Sequence, residues 1–164
     1  MEKDKILQIR AQLLEQLKND LIVDYFAAEY ISEEESGIPC GEITVMFNSL
    51  GMNSNEAFGE LFFAPDADEE STVSYFECVI LISDSLENAD MAALKAACAK
   101  HNLTSPAGFF FVDEEGNRLV FKLGIPFSKR FEEDVLFEEM NIAVGNALDI
   151  VDRAIDELLD IAEE

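Results

Sequence analysis

The chain has 164 residues, the size of one ordinary domain, and 49% of them are hydrophobic, enough for a real core at that length. Its net charge of -24, from 35 acids against 11 bases, argues against nucleic acid and against anionic membrane surfaces, since both recruit clustered Lys and Arg. Three irregularly spaced cysteines, Cys40, Cys78 and Cys98, make a poor disulfide framework and no zinc motif.

Residues 4–19 read as an amphipathic helix, with Ile6, Ile9, Leu13 and Leu17 on one face. Residues 21–31 fit either an extension of that helix or a first strand through Val23, Tyr25 and Ala27. The run from Ser32 to Gly37 reads as a solvated break. Glu42 to Asn48 alternates as a strand, with Ile43, Val45 and Phe47 on one side and Thr44, Met46 and Asn48 on the other. Residues 51–55 carry turn chemistry. A second strand follows at 58–63, ended by Pro65. A third spans 73–82, with Phe76, Cys78, Ile80 and Ile82 on one face. Its other face carries Val73, Tyr75, Val79 and Leu81, interrupted by Glu77.

A helix is expected from about Asn88 to His101, with Ser85 or Asn88 capping its start by accepting an orphaned backbone N–H. Two apolar runs, 109–112 and 118–123, flank a Gly- and Asn-containing turn and predict a hairpin, ended by Gly124-Ile125-Pro126. The chain closes with a long helix beginning near Phe131 or Glu138. Val144, Leu148, Val151, Ile155, Leu158 and Ala162 form its stripe. The predicted order is α-β-β-β(-β)-α-β-β-α in a single domain over 1–164. This is an α+β fold with a single antiparallel β-sheet packed with three helices. No stretch of about 18 apolar residues and no apolar leader is present, so the expected location is cytoplasmic.

Few residues suggest chemistry. Cys98 and His101, three apart on one helix face, are a candidate nucleophile and base. Without an orienting partner or oxyanion motif, a core thiol and a helix-end imidazole suited to the C-terminal dipole are favoured. Asp66, Asp68 and Glu70 resemble the start of a calcium loop, with Glu77 at the twelfth position. The sixth position is Ser71, where the tight turn needs Gly. A catalytic carboxylate cluster is uninformative in a chain with 35 acids. No catalytic residue, cofactor or metal is therefore assigned.

The second face of the sheet says more. An antiparallel sheet covered on one side usually alternates apolar and polar residues. Here Met46, then Leu61 and Phe63, then Val73, Tyr75, Val79 and Leu81, then either Phe110 or Phe109 with Phe111, make several strands apolar on both sides. Such surface needs a second layer, either the chain's own helices divided between both faces or a subunit, partner segment or ligand. The residues expected to take a partner are Phe63, Tyr75, Val79, Leu81, Phe110 and Val120.

Over residues 79–162 the chain resembles the YbjN-like family, which shares the fold of type III secretion chaperones. The likeness rests on the strand at 79–83, a helix ending in Lys100-His101-Asn102, and the Ala107-Gly108-Phe109-Phe110-Phe111-Val112-Asp113 hairpin strand. The run from Arg118 to Pro126 and the closing helix complete it. Asn102 and Gly108 occupy the places where that family has an Asn ending the middle helix and a Gly opening the next strand. The resemblance implies an acidic, non-enzymatic, homodimeric protein that binds another protein chain, chaperone-like or regulatory. Its partner would be a basic or unfolded segment.

Overall fold

The computed structural model describes residues 3–66, 68 and 70–163. Its elements are α1 (Lys3–Val23), β1 (Ala27–Ile31), α2 (Glu33–Ser36), β2 (Glu42–Leu50), β3 (Asn55–Phe63), β4 (Val73–Ser83), α3 (Met91–Thr104), β5 (Phe109–Asp113), β6 (Arg118–Ser128) and α4 (Glu133–Glu163). The six strands form one sheet in the order β1-β2-β3-β4-β6-β5, and every neighbouring pair is antiparallel. The α+β class and the expected order of elements hold, with a one-turn helix added where a plain break was expected. That turn, α2, is solvent-facing and closes on Gly37 in the left-handed region at φ +73°.

The ambiguous stretch 21–31 divides. α1 runs to Val23, Tyr25 takes a left-handed turn at φ +67°, and β1 begins at Ala27. α3 starts later than expected, at Met91. Its cap is neither Ser85 nor Asn88 but Asp90, which accepts from the N–H groups of Ala92 and Ala93. The hairpin does not end at residues 124–126, because β6 continues to Ser128 with Pro126 opposite Tyr75. β5 has already ended at the Phe109–Lys122 pair, so this part of β6 is an edge. A residue without an N–H is tolerated there because no neighbouring strand requires one.

The core lies between the sheet and α1, α3 and α4. β2 to β6 turn alternate residues toward it: Ile43, Val45 and Phe47; Ala57, Leu61 and Phe63; Phe76, Cys78, Ile80 and Ile82; Leu119, Phe121 and Leu123; and Phe110, all buried. Leu13, Leu14 and Leu17 of α1, Leu94 and Cys98 of α3, and Met140, Val144, Val151, Ile155 and Leu158 of α4 meet them. At Gly59 an added Cβ would stand 2.5 Å from the Phe47 ring, so β3 needs a residue without a side chain there. α4 contacts both α1 and α3, so the three long helices make one layer. The apolar area they remove from water stabilises the domain by roughly 25 cal/mol per Å2.

Candidate functional site

Among the described residues, no helix packs on the opposite face of the sheet. Strand register resolves it into rows that run across the strands. One row is apolar from edge to edge: Ala27, Met46, Phe58, Leu81, Val120 and Phe111 stand opposite one another in turn. Five inter-strand gaps of about 4.8 Å make this strip about 24 Å long. The next row reads Glu29, Thr44, Glu60, Val79, Lys122 and Phe109, so charge breaks it. On the other flank, alternation along β3, β6 and β5 places Glu56, Arg118 and Asp113 on the same face.

A furrow of about 210 Å3 opens along this strip, lined by Phe58, Glu60, Val79, Leu81, Phe111, Asp113, Arg118 and Val120. Val120 is only 6% exposed although no helix covers it, because the large side chains beside it shield it. Tyr75, three rows away, is 48% exposed, and Met46, Val73 and Phe109 are also well exposed. A second, wider cleft of about 470 Å3 borders the strip at the β1 edge, between Ile22 and Phe26 on one side and Met46 and Phe58 on the other.

The bases of this face are already engaged. Lys122 Nζ lies 3.4 Å from Glu77, and Arg118 Nη2 donates to Asp113 at 2.6 Å. Glu29, Glu56 and Glu60 flank the strip, and among the described residues none of them has a cation within ion-pair distance. Partial burial, and then the charge of Glu60, raise the pKa of Glu42 in the row beyond.

Of the six residues expected to meet a partner, Tyr75, Val79, Leu81 and Val120 lie on this uncovered face. Phe63 and Phe110 do not. Both are buried on the helix side, as is Leu61, Phe63 against Phe76 and Phe127 and Phe110 against Phe121. The assignment turned on strand parity. β3 carries Phe58, Leu61, Phe62 and Phe63, so both of its faces hold large apolar residues, and pairing with Ile43 and Cys78 fixes Leu61 inward. Phe58 was missed for that reason. Glu56 and Glu60 on its own face, and its neighbours Ala57 and Gly59, small residues at tight inward positions, are the available sequence signals. On β5 the pair outside is Phe109 with Phe111.

The other candidates resolve differently. Cys98 is buried and its thiol is pushed up to about 11, chiefly by burial. His101 turns its Nε2 to Glu157 at 2.9 Å and stacks edge-on against Phe110, so the structure does not assemble it with Cys98 as nucleophile and base. Cys40 and Cys78 are likewise buried free thiols, raised to about 11 and about 12, first by burial.

In the calcium-like run, Ala67 and Glu69 lie outside the described residues. Asp66 is drawn inward. It accepts from the Ser74 hydroxyl at 2.5 Å, lies 3.2 Å from Lys129 Nζ and faces the buried Arg10 at 4.0 Å. Asp68 accepts from the N–H of Glu70, closing a local turn. Among the described residues no group of three or more potential ligands is disposed to hold a metal ion.

The two positions that carried the family resemblance have clear structural duties. Asn102 donates to the Phe110 carbonyl at 2.9 Å and accepts from its N–H at 2.7 Å, so a side chain pairs with the outer edge of β5. Gly108 precedes that strand at φ +68°, where a Cβ would stand 2.6 Å from the Phe121 ring. Among the described residues no helix is long and apolar enough to cross a membrane. Comparison with protein-family models, curated proteins and solved structures found no match.

Proposed function

We propose that this chain is a non-enzymatic protein-binding module, chaperone-like or regulatory, that takes a partner segment on the uncovered face of its sheet. The observation that carries the proposal is the unbroken apolar row from Ala27 to Phe111, bordered by a furrow and left bare by all three long helices. Helices on one side and an apolar row on the other leave surface that an isolated sheet would usually make polar. The face is favoured over strand addition at β5, because Asn102 already occupies the edge groups of Phe110 there. The order of elements and the roles of Asn102 and Gly108 support a fold of the YbjN-like and secretion-chaperone kind. Three buried free thiols support a reducing, cytoplasmic setting.

A second copy of the chain is the competing occupant of the same face, as expected for a homodimer. Each copy carries -24, and that charge opposes face-to-face association. The test replaces Tyr75 and Leu81 with Asp, singly and together, after circular dichroism confirms that each variant is folded. Partners captured by the wild type should be lost from the double variant. If the oligomeric state and the captured proteins are both unchanged, the face is not a binding surface.

A further inference from the structure

The strip carries information about what kind of segment fits it. It is about 24 Å long and one side chain wide. That is a small fraction of the ~800 Å2 that each partner of a standard protein interface contributes. The shape suits a single segment, since a helix at 1.5 Å per residue spans it in about 16 residues.

The flanks are unequal. Toward β4, β6 and β5, charge is balanced by the Lys122–Glu77 and Arg118–Asp113 pairs. Toward β1, β2 and β3, Glu56 stands on one side of the strip, and Glu29 and Glu60 on the other, all without a counter-cation among the described residues. An apolar ligand alone would have to desolvate these carboxylates at its rim without compensation. A ligand with positive charge beside its apolar side chains would meet them with opposite charge. The -24 of the whole chain would also speed its approach.

We propose that the strip docks a cationic amphipathic segment of a partner protein. Its apolar side chains seat on Met46, Phe58, Leu81, Val120 and Phe111, and its Lys or Arg residues lie over Glu29, Glu56 and Glu60. The polarity is directional: the basic end of the segment faces β1–β3, and its neutral end faces β6 and β5. Met46, toward the basic end, lets that part of the surface adapt to different apolar side chains. This inference rests on the binding-face reading above and adds the partner's charge and orientation to it.

The test titrates the full chain into fluorescently labelled synthetic 18-residue peptides that share one Leu stripe. One peptide carries Lys at the flanking positions, one Gln and one Glu. The Lys peptide should bind at least tenfold more tightly than the Gln peptide, and the Glu peptide should not bind measurably. Two variants of equal net charge separate the local site from the general acidity of the chain. E56Q/E60Q neutralises the strip's flanks, and E138Q/E139Q neutralises two exposed positions on α4. The first should weaken the Lys peptide about three- to thirtyfold, as two rim ion pairs allow, and the second less than twofold.

If both double variants weaken it equally, only diffuse charge is at work and the proposed site is overturned. If all three peptides bind alike and Leu81→Asp abolishes binding, the cationic preference fails while the binding face stands. If no peptide binds and the protein sediments as a dimer that Leu81→Asp dissociates, a second copy covers the strip and the proposal is overturned. If Leu81→Asp changes neither peptide binding nor sedimentation, the face itself is wrong.

Discussion

Arg10 is 2% exposed, and what surrounds it explains how a guanidinium survives in the core. It projects from α1 between the rings of Phe63 and Phe127, 5.4 and 5.3 Å from their centroids, in cation–π geometry. Its Nη2 donates to Ser74 at 2.8 Å, and Ser74 in turn donates to Asp66, the nearest anion. Nε is buried without a hydrogen-bond partner, so the charge is held through the two Nη groups. Partial burial would raise the pKa of Asp66, but Ser74, Lys129 and Arg10 outweigh it and the net shift is downward from 3.8. A carboxyl lowered in the folded state contributes stability that is complete above its ordinary value and is lost as pH falls through the lower folded one. Asp66→Asn keeps the shape and removes the charge. It should cost about 1–3 kcal/mol at pH 7, because the buried cation loses its counter-charge. Urea midpoints of variant and wild type should converge as acid protonates the native Asp66. A gap that persists in acid would assign the loss to shape instead. Sequence could not place this pair. Arg10 reads as an ordinary base beside Ile9, and only the fold brings it across to a hydroxyl 64 residues away.

Among the described residues, the hydrogen bonds that span the most sequence join the β2–β3 turn to α4. Asp152 accepts from the N–H of Gly51 at 2.8 Å. Asp156 accepts from the N–H of Met52 and from Asn55 Nδ2, both at 2.7 Å. Gly51 has φ +68°, and a Cβ there would stand 2.5 Å from the Asp156 carboxylate, so the turn is fitted to the helix on both counts. Asp156→Ala should lower stability by only about 0.5–1.5 kcal/mol, since water can reach the freed groups. Hydrogen exchange at Met52 and Asn53 should accelerate about tenfold or more, while amides in the centre of β4 keep their protection. Equal acceleration throughout would mean global destabilisation and no local clasp.

The turn and the helix were each legible, since Gly51 to Asn55 is turn chemistry and Asp152 and Asp156 fall off the apolar stripe. Their meeting was not, because an acid off the stripe looks the same whether it meets water or a distant N–H. Strand parity failed in a similar way at β3 and β5. β4 was read correctly because Glu77 marks its outer side; Glu60 and Asp113 mark the outer sides of β3 and β5 in the same way, but Phe58, Phe62, Phe109 and Phe111 beside them make those sides look as apolar as the inner ones.

At the scale of the molecule, two tendencies oppose each other. Three helices cover one side of the sheet and leave an apolar strip on the other, while a charge of -24 disfavours the approach of like copies. That charge also strains the folded chain. Screening reaches about 30 Å at 0.01 M salt and about 10 Å at 0.1 M, so added salt removes repulsion between distant acids first. The exposed ion pairs that salt would weaken, such as Lys100–Glu157, are individually worth only about 0–1 kcal/mol. Raising sodium chloride from 0.01 to 0.1 M should therefore raise Tm, by about 3 °C for each kcal/mol of repulsion relieved at this size. A fall in Tm would show that local ion pairs outweigh the net charge. Binding of a cationic segment must respond to the same salt in the opposite sense, because screening removes the attraction along with the strain. A single titration thus separates the roles of the charge: the acids dispersed over the helices govern the rising stability, and those flanking the apolar strip govern the falling affinity. Neutralising Glu56 and Glu60 should flatten the affinity curve while leaving the slope of Tm against salt nearly unchanged.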